Sequence, residues 1–122
     1  MAQLDIGILH KAKLRFAHYY LTRLQATRNL ADKGGDHLQR ALHNLETDMG
    51  QINEGQAWTA AHLELADAAR VCSEYAAAGE RLLDLRWLPT AQLIWLESAL
   101  EAARYLDNAE AESLHLRQLG DA

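Results

Sequence analysis

Histidines, one cysteine and a few carboxylates are the residues of this chain that could bind a metal or act as nucleophiles. Glu112 and His115 form a Glu-x-x-His motif, a spacing that places a carboxylate and an imidazole on one helix face. Di-iron helical bundles need two such motifs and two further glutamates. The chain has a single motif of this kind, so the sequence favours coincidence over a metal site.

The other histidines do not follow a ligand pattern either. His10 and His18 are separated by about two helical turns and lie near one helix face, but no third ligand is evident. His37, His43 and His62 show no ligand spacing. We interpret these histidines as surface side chains.

The only cysteine, Cys72, excludes an internal disulfide and a cysteine metal cluster. It lies in an alanine-rich helical segment, where a buried and inert thiol is the usual outcome. Paired with a histidine it would be the one nucleophile worth naming, but no catalytic signature surrounds it. The sequence therefore predicts no catalytic residues, no cofactor and no enzymatic activity.

Composition restricts the class of protein further. The 122 residues are 49% hydrophobic and 24% charged, which predicts one compact unit with a real core. The net charge is −5, and we interpret the short run Lys11, Lys13 and Arg15 as a solvated face, so nucleic acid is not an expected partner. No apolar run could span a membrane and no signal peptide is visible, which predicts a cytoplasmic protein without membrane partners.

The hydrophobic spacing is helical throughout, and we predict helices over about residues 6–31, 36–47, 48–62, 65–85 and 89–106, and from 108 onwards. Gly34 and Gly35 end the first helix, and Asp36 is predicted to cap the second. We place a break near Thr47, where Asp48 could begin a separate third helix. One residue set is predicted to be substantially buried because each member lies on an apolar stripe: Phe16, Tyr20, Leu45, Trp58, Leu83, Trp95, Leu96 and Leu100.

The segment after the only proline, Pro89, resembles the helix pair of a tetratricopeptide-type repeat. Ala99, Ala102 and Ala103 would let two helices approach closely, and Asp107-Asn108 separates them. The resemblance implies an all-α fold of antiparallel helical hairpins, a tetratricopeptide-like solenoid segment of five or six helices. It also implies a helical linker or bundle over residues 1–88 and the start of repeats over 89–122, within a single compact unit.

Five segments match, in order, the helical region of STAND-class signalling ATPases of the NB-ARC or NACHT type: Arg15–Tyr20, Gln51–Trp58, Leu83–Arg86, Ile94–Glu97 and Ala99–Arg104. In that family this region follows the nucleotide-binding core and continues into tetratricopeptide repeats. Gln51 stands where the family usually has asparagine. The family's phosphate-binding Gly-Lys-Ser/Thr motif is absent, so none of its ATPase residues lies in this sequence.

The resemblance implies a non-catalytic scaffold or sensor segment of a STAND-type ATPase, which recognises a protein or ligand and holds the rest of the larger chain inactive. A free-standing tetratricopeptide-like adaptor for a peptide or protein is the alternative, and a small helical metal-binding protein is the alternative of another class. The candidate interaction surface consists of Arg81, Arg86, Trp87 and Arg104, although helix packing by the tryptophans and ordinary ion pairs by the arginines explain the same residues.

The last helix is predicted to expose apolar surface. It would be the first helix of a repeat whose second helix is missing, which leaves Leu114, Leu116, Leu119 and the flat Gly120 without a partner. We therefore expect self-association through the C-terminal helix, or fraying of that helix.

Overall fold

Five α-helices account for most of the structure, a computed structural model that describes residues 2–85 and 89–121. They are α1 (Ala2–Asp32), α2 (Asp36–Ala60), α3 (Ala66–Leu85), α4 (Pro89–Tyr105) and α5 (Ala109–Asp121). The described residues contain no strand, so the predicted all-α class is confirmed. None of the helices in these ranges combines the length and the apolar character that crossing a membrane requires.

Two short turns determine where the hairpins reverse. Gly34 and Gly35 both have positive φ angles, 69° and 58°, which glycine adopts without a steric cost. Gly35 occupies the cap position of α2 without a side-chain hydrogen bond, so the predicted Asp36 cap is wrong. Asp36 is instead in the first turn of α2, where a carboxylate is favoured by the helix dipole.

The second turn lies between α4 and α5, as the sequence predicted. Asp107 has a φ of 52°, and the Asn108 N–H donates to the Ala103 carbonyl at 2.9 Å, which together close the end of α4. The Asn108 side-chain oxygen then accepts from the Ala111 N–H at 3.0 Å and caps α5. A single pair of residues therefore ends one helix and begins the next.

The predicted break near Thr47 is wrong, because α2 runs without interruption through Gly50. Asp48 does not cap a new helix. It is 7% exposed, and its carboxylate accepts a 2.6 Å hydrogen bond from Arg23 Nε on α1. This tertiary ion pair removes the local reason for a break, so the described residues form five helices and not six.

The contacts define the directions of the helices. Lys13 approaches Glu54 and Arg23 approaches Asp48, so α1 and α2 are antiparallel. The ring of Tyr75 packs edge-on against Trp95 at 5.6 Å, while Cys72 and Ala102 share a cluster further along, so α3 and α4 are also antiparallel. Residues 14–22 of α1 face residues 67–71 of α3, and Arg28 donates to the Ala77 carbonyl, which makes α1 and α3 parallel.

One main core lies between the first four helices. Its central residues are Leu21, Leu45, Tyr75 and Leu96, each at most 1% exposed. Within the predicted set, burial is confirmed for Leu45, Trp95 and Leu96, while Phe16, Tyr20, Trp58 and Leu100 are half-buried and the side chain of Leu83 lies outside the described residues. On α1 the buried stripe passes through Ala17, Leu21 and Leu24 and bypasses Leu9, which is 54% exposed.

Candidate functional site

Three of the four side chains of the predicted interaction surface lie outside what the structure describes. Arg86 and Trp87 lie outside the described residues, and so does the side chain of Arg81. Arg104 is exposed, and its Nε donates to Glu112 at 3.0 Å across the α4–α5 turn. Of the two interpretations that the sequence allowed for Arg104, an ordinary ion pair is the one that its geometry supports.

Glu112 and His115 point to different partners. Glu112 pairs with Arg104, whereas His115 is 1% exposed and faces α3. Across residues 2–85 and 89–121, no group of three or more His, Cys, Asp or Glu side chains is arranged to hold a metal ion.

A Ser–His–Gln cluster is the arrangement that most resembles catalytic machinery. His115 Nε2 lies 2.7 Å from Ser73 Oγ, and His115 Nδ1 lies 3.3 Å from Gln118 Oε1. With Nδ1–H donating to the glutamine, Nε2 can accept the serine proton, as in a nucleophile–base pair. No local pattern predicts this cluster, because Ser73 and His115 are far apart in the chain.

The surroundings of Ser73 favour a structural role for this cluster. Ser73 lies in the interior of α3, where helical hydrogen bonds already occupy the backbone N–H groups that could otherwise stabilise an oxyanion. His115 and Gln118 are both buried, so a substrate would have to displace α5 to reach the imidazole. The cluster satisfies buried polar groups and fastens α5 to α3.

Cys72 is buried, as predicted from its alanine-rich segment. Its exposure is 0%, and burial raises the pKa of its thiol from 9.0 to about 11, an effect that the neighbouring Thr59 hydroxyl group partly offsets. The thiol is therefore protonated at neutral pH, which makes it a poor nucleophile.

An apolar groove of about 390 Å³ lies between α1 and the first half of α3 and is here called the α1–α3 groove. It is lined by Leu14, Arg15, His18, Tyr19, Thr22, Asp67, Arg70 and Val71. Tyr19 lines the groove and is 56% exposed, and its ring packs edge-on against that of Tyr20 with ring centres 5.0 Å apart. A groove with an apolar lining, an exposed tyrosine and two arginines has the residue types that dominate binding energy at protein interfaces.

The charges around the α1–α3 groove are mixed, with a positive excess. Arg70 pairs with Asp67 at 3.2 Å, and both side chains are about 60% exposed, so solvent screens this pair. Arg15 is exposed and forms no ion pair with any described residue. A local positive excess on a chain of net charge −5 favours a ligand with carboxylates.

The sequence did not predict this groove. Arg15 was assigned to a solvated face together with Lys11 and Lys13, whereas Lys13 reaches Glu54 at 3.9 Å and Arg15 lines the groove. The signal was not detectable locally, because the second arginine, Arg70, lies on a different helix.

A second cluster joins the first half of α1 to the end of α2. We call His10, Trp58 and His62 the aromatic clasp, because their rings contact one another pairwise. The indole of Trp58 stacks on His62 at 4.3 Å, and His10 meets the two rings edge-on at 5.9 and 5.2 Å. His10 is half-buried here and is not a surface side chain as predicted: it contacts His62, whereas His18 is exposed and lines the α1–α3 groove.

Comparisons of the chain with models of protein families, with curated proteins and with solved structures found no match.

Proposed function

We propose that this chain is a non-catalytic helical recognition module whose α1–α3 groove binds an acidic, partly apolar segment of a protein partner. The partner segment places an apolar side chain between Leu14 and Val71 and a carboxylate near Arg15 or Arg70. The observation that carries the proposal is the coincidence of an apolar groove, an exposed Tyr19 and a positive excess on an otherwise acidic chain.

The parallel packing of α1 and α3 supports this use of the groove. The buried Tyr75 of α3 donates from its hydroxyl to the Ala17 carbonyl of α1 at 2.6 Å, which fixes the separation of the two helices next to the groove. A groove between two fixed helices is pre-organised, so less entropy is lost when a ligand binds.

We further propose that the module belongs to a cytoplasmic STAND-type signalling ATPase, as a scaffold or sensor segment that couples partner binding to release of autoinhibition. The support is the ordered set of five matching segments, which includes Arg15–Tyr20 on α1 beside the groove. The alternative is a free-standing tetratricopeptide-like adaptor with the same groove.

The genomic reading frame separates these two contexts. An ATPase module with a Gly-Lys-Ser/Thr phosphate loop in the same frame supports the first proposal. A frame that encodes only helical repeats contradicts it and favours the adaptor, without bearing on the groove itself.

Groove binding is tested with short fluorescent peptides of alternating glutamate and leucine, by anisotropy. We expect saturable binding that weakens as salt increases, and no binding of the matched lysine–leucine peptide. Arg15→Glu and Arg70→Glu should each weaken binding by about tenfold, since a change of about 1.4 kcal/mol in binding free energy corresponds to that factor.

Arg40→Glu is the matched control, because Arg40 is an exposed arginine on α2 that does not line the groove. Far-UV circular dichroism should show all three variants folded. Equal loss of affinity in the control, or unchanged affinity in both groove variants, would show that the peptide binds elsewhere and would refute the proposed site.

A further inference from the structure

The aromatic clasp brings together two imidazoles that are far apart in sequence. His10 lies on α1, and His62 follows the end of α2, with ring centres 5.2 Å apart and ring planes inclined at 70°. Both side chains are half-buried, so each is held in place by packing while part of its surface is open to solvent. Among the described residues, neither histidine forms an ion pair.

Each of the two histidines has a ring nitrogen atom with an available lone pair. His62 Nδ1 lies 2.8 Å from the Trp58 carbonyl, and since a carbonyl only accepts, Nδ1 must carry the proton. The neutral imidazole then presents an unprotonated Nε2, the form in which histidine ligates metals. The backbone carbonyl fixes the orientation of that ring, a common arrangement for metal-binding histidines. His10 makes no hydrogen bond with any described residue.

The separation of the two ring centres is compatible with a shared metal ion, and it also lies in the range of ordinary edge-to-face packing. A bond of about 2.0–2.1 Å from zinc to an imidazole nitrogen places the metal about 3.2 Å from the ring centre, so two rings at a tetrahedral angle have centres about 5.2 Å apart. The observed separation is 5.2 Å.

The position at the end of α2 adds a second favourable factor. Helix α2 ends at Ala60, and the C-terminal end of a helix dipole carries a partial negative charge that stabilises a nearby cation. His62 lies in the turn that immediately follows this end.

We propose that His10 and His62 form a two-imidazole site for a divalent transition-metal ion of the zinc, nickel and copper class, with water in the other coordination positions. Imidazole nitrogen is a preferred ligand for these ions and not for Mg²⁺ or Ca²⁺. A bound ion joins α1 to the end of α2 and lies beside the indole of Trp58. The inference is independent of the α1–α3 groove.

The test is calorimetric titration of the full chain with Zn²⁺, together with quenching of tryptophan emission by Ni²⁺. We expect Zn²⁺ to bind at one site and Mg²⁺ not to bind. His10→Gln and His62→Gln should each weaken Zn²⁺ binding by at least about tenfold, since each removes one of two ligands. Trp58→Phe should retain the affinity and lose most of the Ni²⁺ quenching.

His37→Gln is the matched control, because His37 is exposed on α2 and belongs to no ring cluster. It should change the affinity by less than about twofold, as expected for a distant site. Circular dichroism checks that each variant is folded. Absent Zn²⁺ binding overturns the proposal, and so does an affinity that His10→Gln or His62→Gln leaves unchanged or that His37→Gln lowers equally.

Discussion

Buried polar side chains connect the helices of this protein in pairs. Arg23 reaches Asp48 between α1 and α2, and His115 reaches Ser73 between α5 and α3, at 2.6 and 2.7 Å. Each bond supplies a partner to a group whose burial without one would cost about 1–3 kcal/mol. Gln56 is the exception among the described residues, because its buried Nε2 has no hydrogen-bond partner.

Replacing Leu96 by alanine tests the main core at a single residue. Leu96 is 1% exposed in the cluster shared by the first four helices, so Leu96→Ala should lower the free energy of unfolding by about 2–5 kcal/mol. Urea denaturation measures the change. Leu116→Ala is the control, because Leu116 is 48% exposed and its loss should cost at most about 0.5 kcal/mol. Equal effects of the two variants would place Leu96 outside the core.

The thiol of Cys72 should make stability depend on alkaline pH. Its pKa is about 11 in the folded chain against 9.0 for an ordinary thiol, so between these values the thiol ionises in the unfolded chain only. Ionisation there stabilises the unfolded state, and the free energy of unfolding should be unaffected below about pH 9 and fall towards about pH 11.

Urea denaturation across this pH range, compared with Cys72→Ala, checks the effect of the thiol. The variant should show a smaller decrease but not a flat profile, because burial also raises the pKa of Tyr75 and acts in the same direction. Identical pH profiles for the two proteins would contradict the assignment to Cys72.

At the level of the elements, two glycines of α2 differ in whether packing requires them: Gly55 lies at a close contact between helices and Gly50 does not. A Cβ added at Gly55 would lie 2.5 Å from the Tyr75 hydroxyl and 3.1 Å from the Ala17 Cα atom of α1. A Cβ at Gly50 would meet nothing within 4 Å. The same substitution should therefore have opposite effects at two positions of one helix.

Gly55→Ala should destabilise the protein by about 1–3 kcal/mol, because the Tyr75 hydroxyl is held by the Ala17 carbonyl and the α1 backbone cannot yield cheaply. Gly50→Ala should stabilise it by about 0.5–1 kcal/mol, since alanine loses less conformational entropy in a helix. Thermal and urea denaturation of both variants measure these changes. A destabilising Gly50→Ala would indicate that α2 is interrupted near this position.

For the whole molecule, one face of the C-terminal helix α5 packs against the other helices and the opposite face is exposed to solvent. His115 and Gln118 are buried. Leu119 packs against the main core, so the predicted exposure of Leu119 is wrong. Leu114 and Leu116 are 39% and 48% exposed, as predicted, while the predicted exposure of Gly120 lies outside what the structure describes. Exposed leucines of this kind promote association between copies.

We expect self-association that increases with concentration and depends on α5. Light scattering over a concentration series should detect it, and Leu114→Lys with Leu116→Lys should abolish it by placing charge on the apolar surface. Ile8→Lys with Leu9→Lys is the control on α1, where two exposed apolar residues are changed in the same way. A strictly monomeric wild-type chain whose residues 108–121 are well protected from hydrogen exchange would contradict the prediction.

Local signals in the sequence determined the elements of this protein, and tertiary contacts determined its sites. Helical periodicity, the Gly34-Gly35 turn and the Asp107-Asn108 turn act within a few residues of the chain, so the helices and their ends could be predicted. The break at Thr47 was predicted wrongly because Asp48 resembles a local cap, and only its ion pair with Arg23 on another helix shows its actual role.

The sites depend on residues that the chain separates and the fold brings together. Arg15 and Arg70 meet at the α1–α3 groove, and His10 meets His62 in the aromatic clasp, across helices whose relative position no local pattern encodes. An apolar stripe specifies that a helix face is buried but not which helix covers it, because hydrophobic burial is non-directional. The sequence by itself therefore determined four of the five helices, α1, α3, α4 and α5, together with the turns at Gly34-Gly35 and Asp107-Asn108. The packing of the helices decided that α2 is continuous and which side chains could act together.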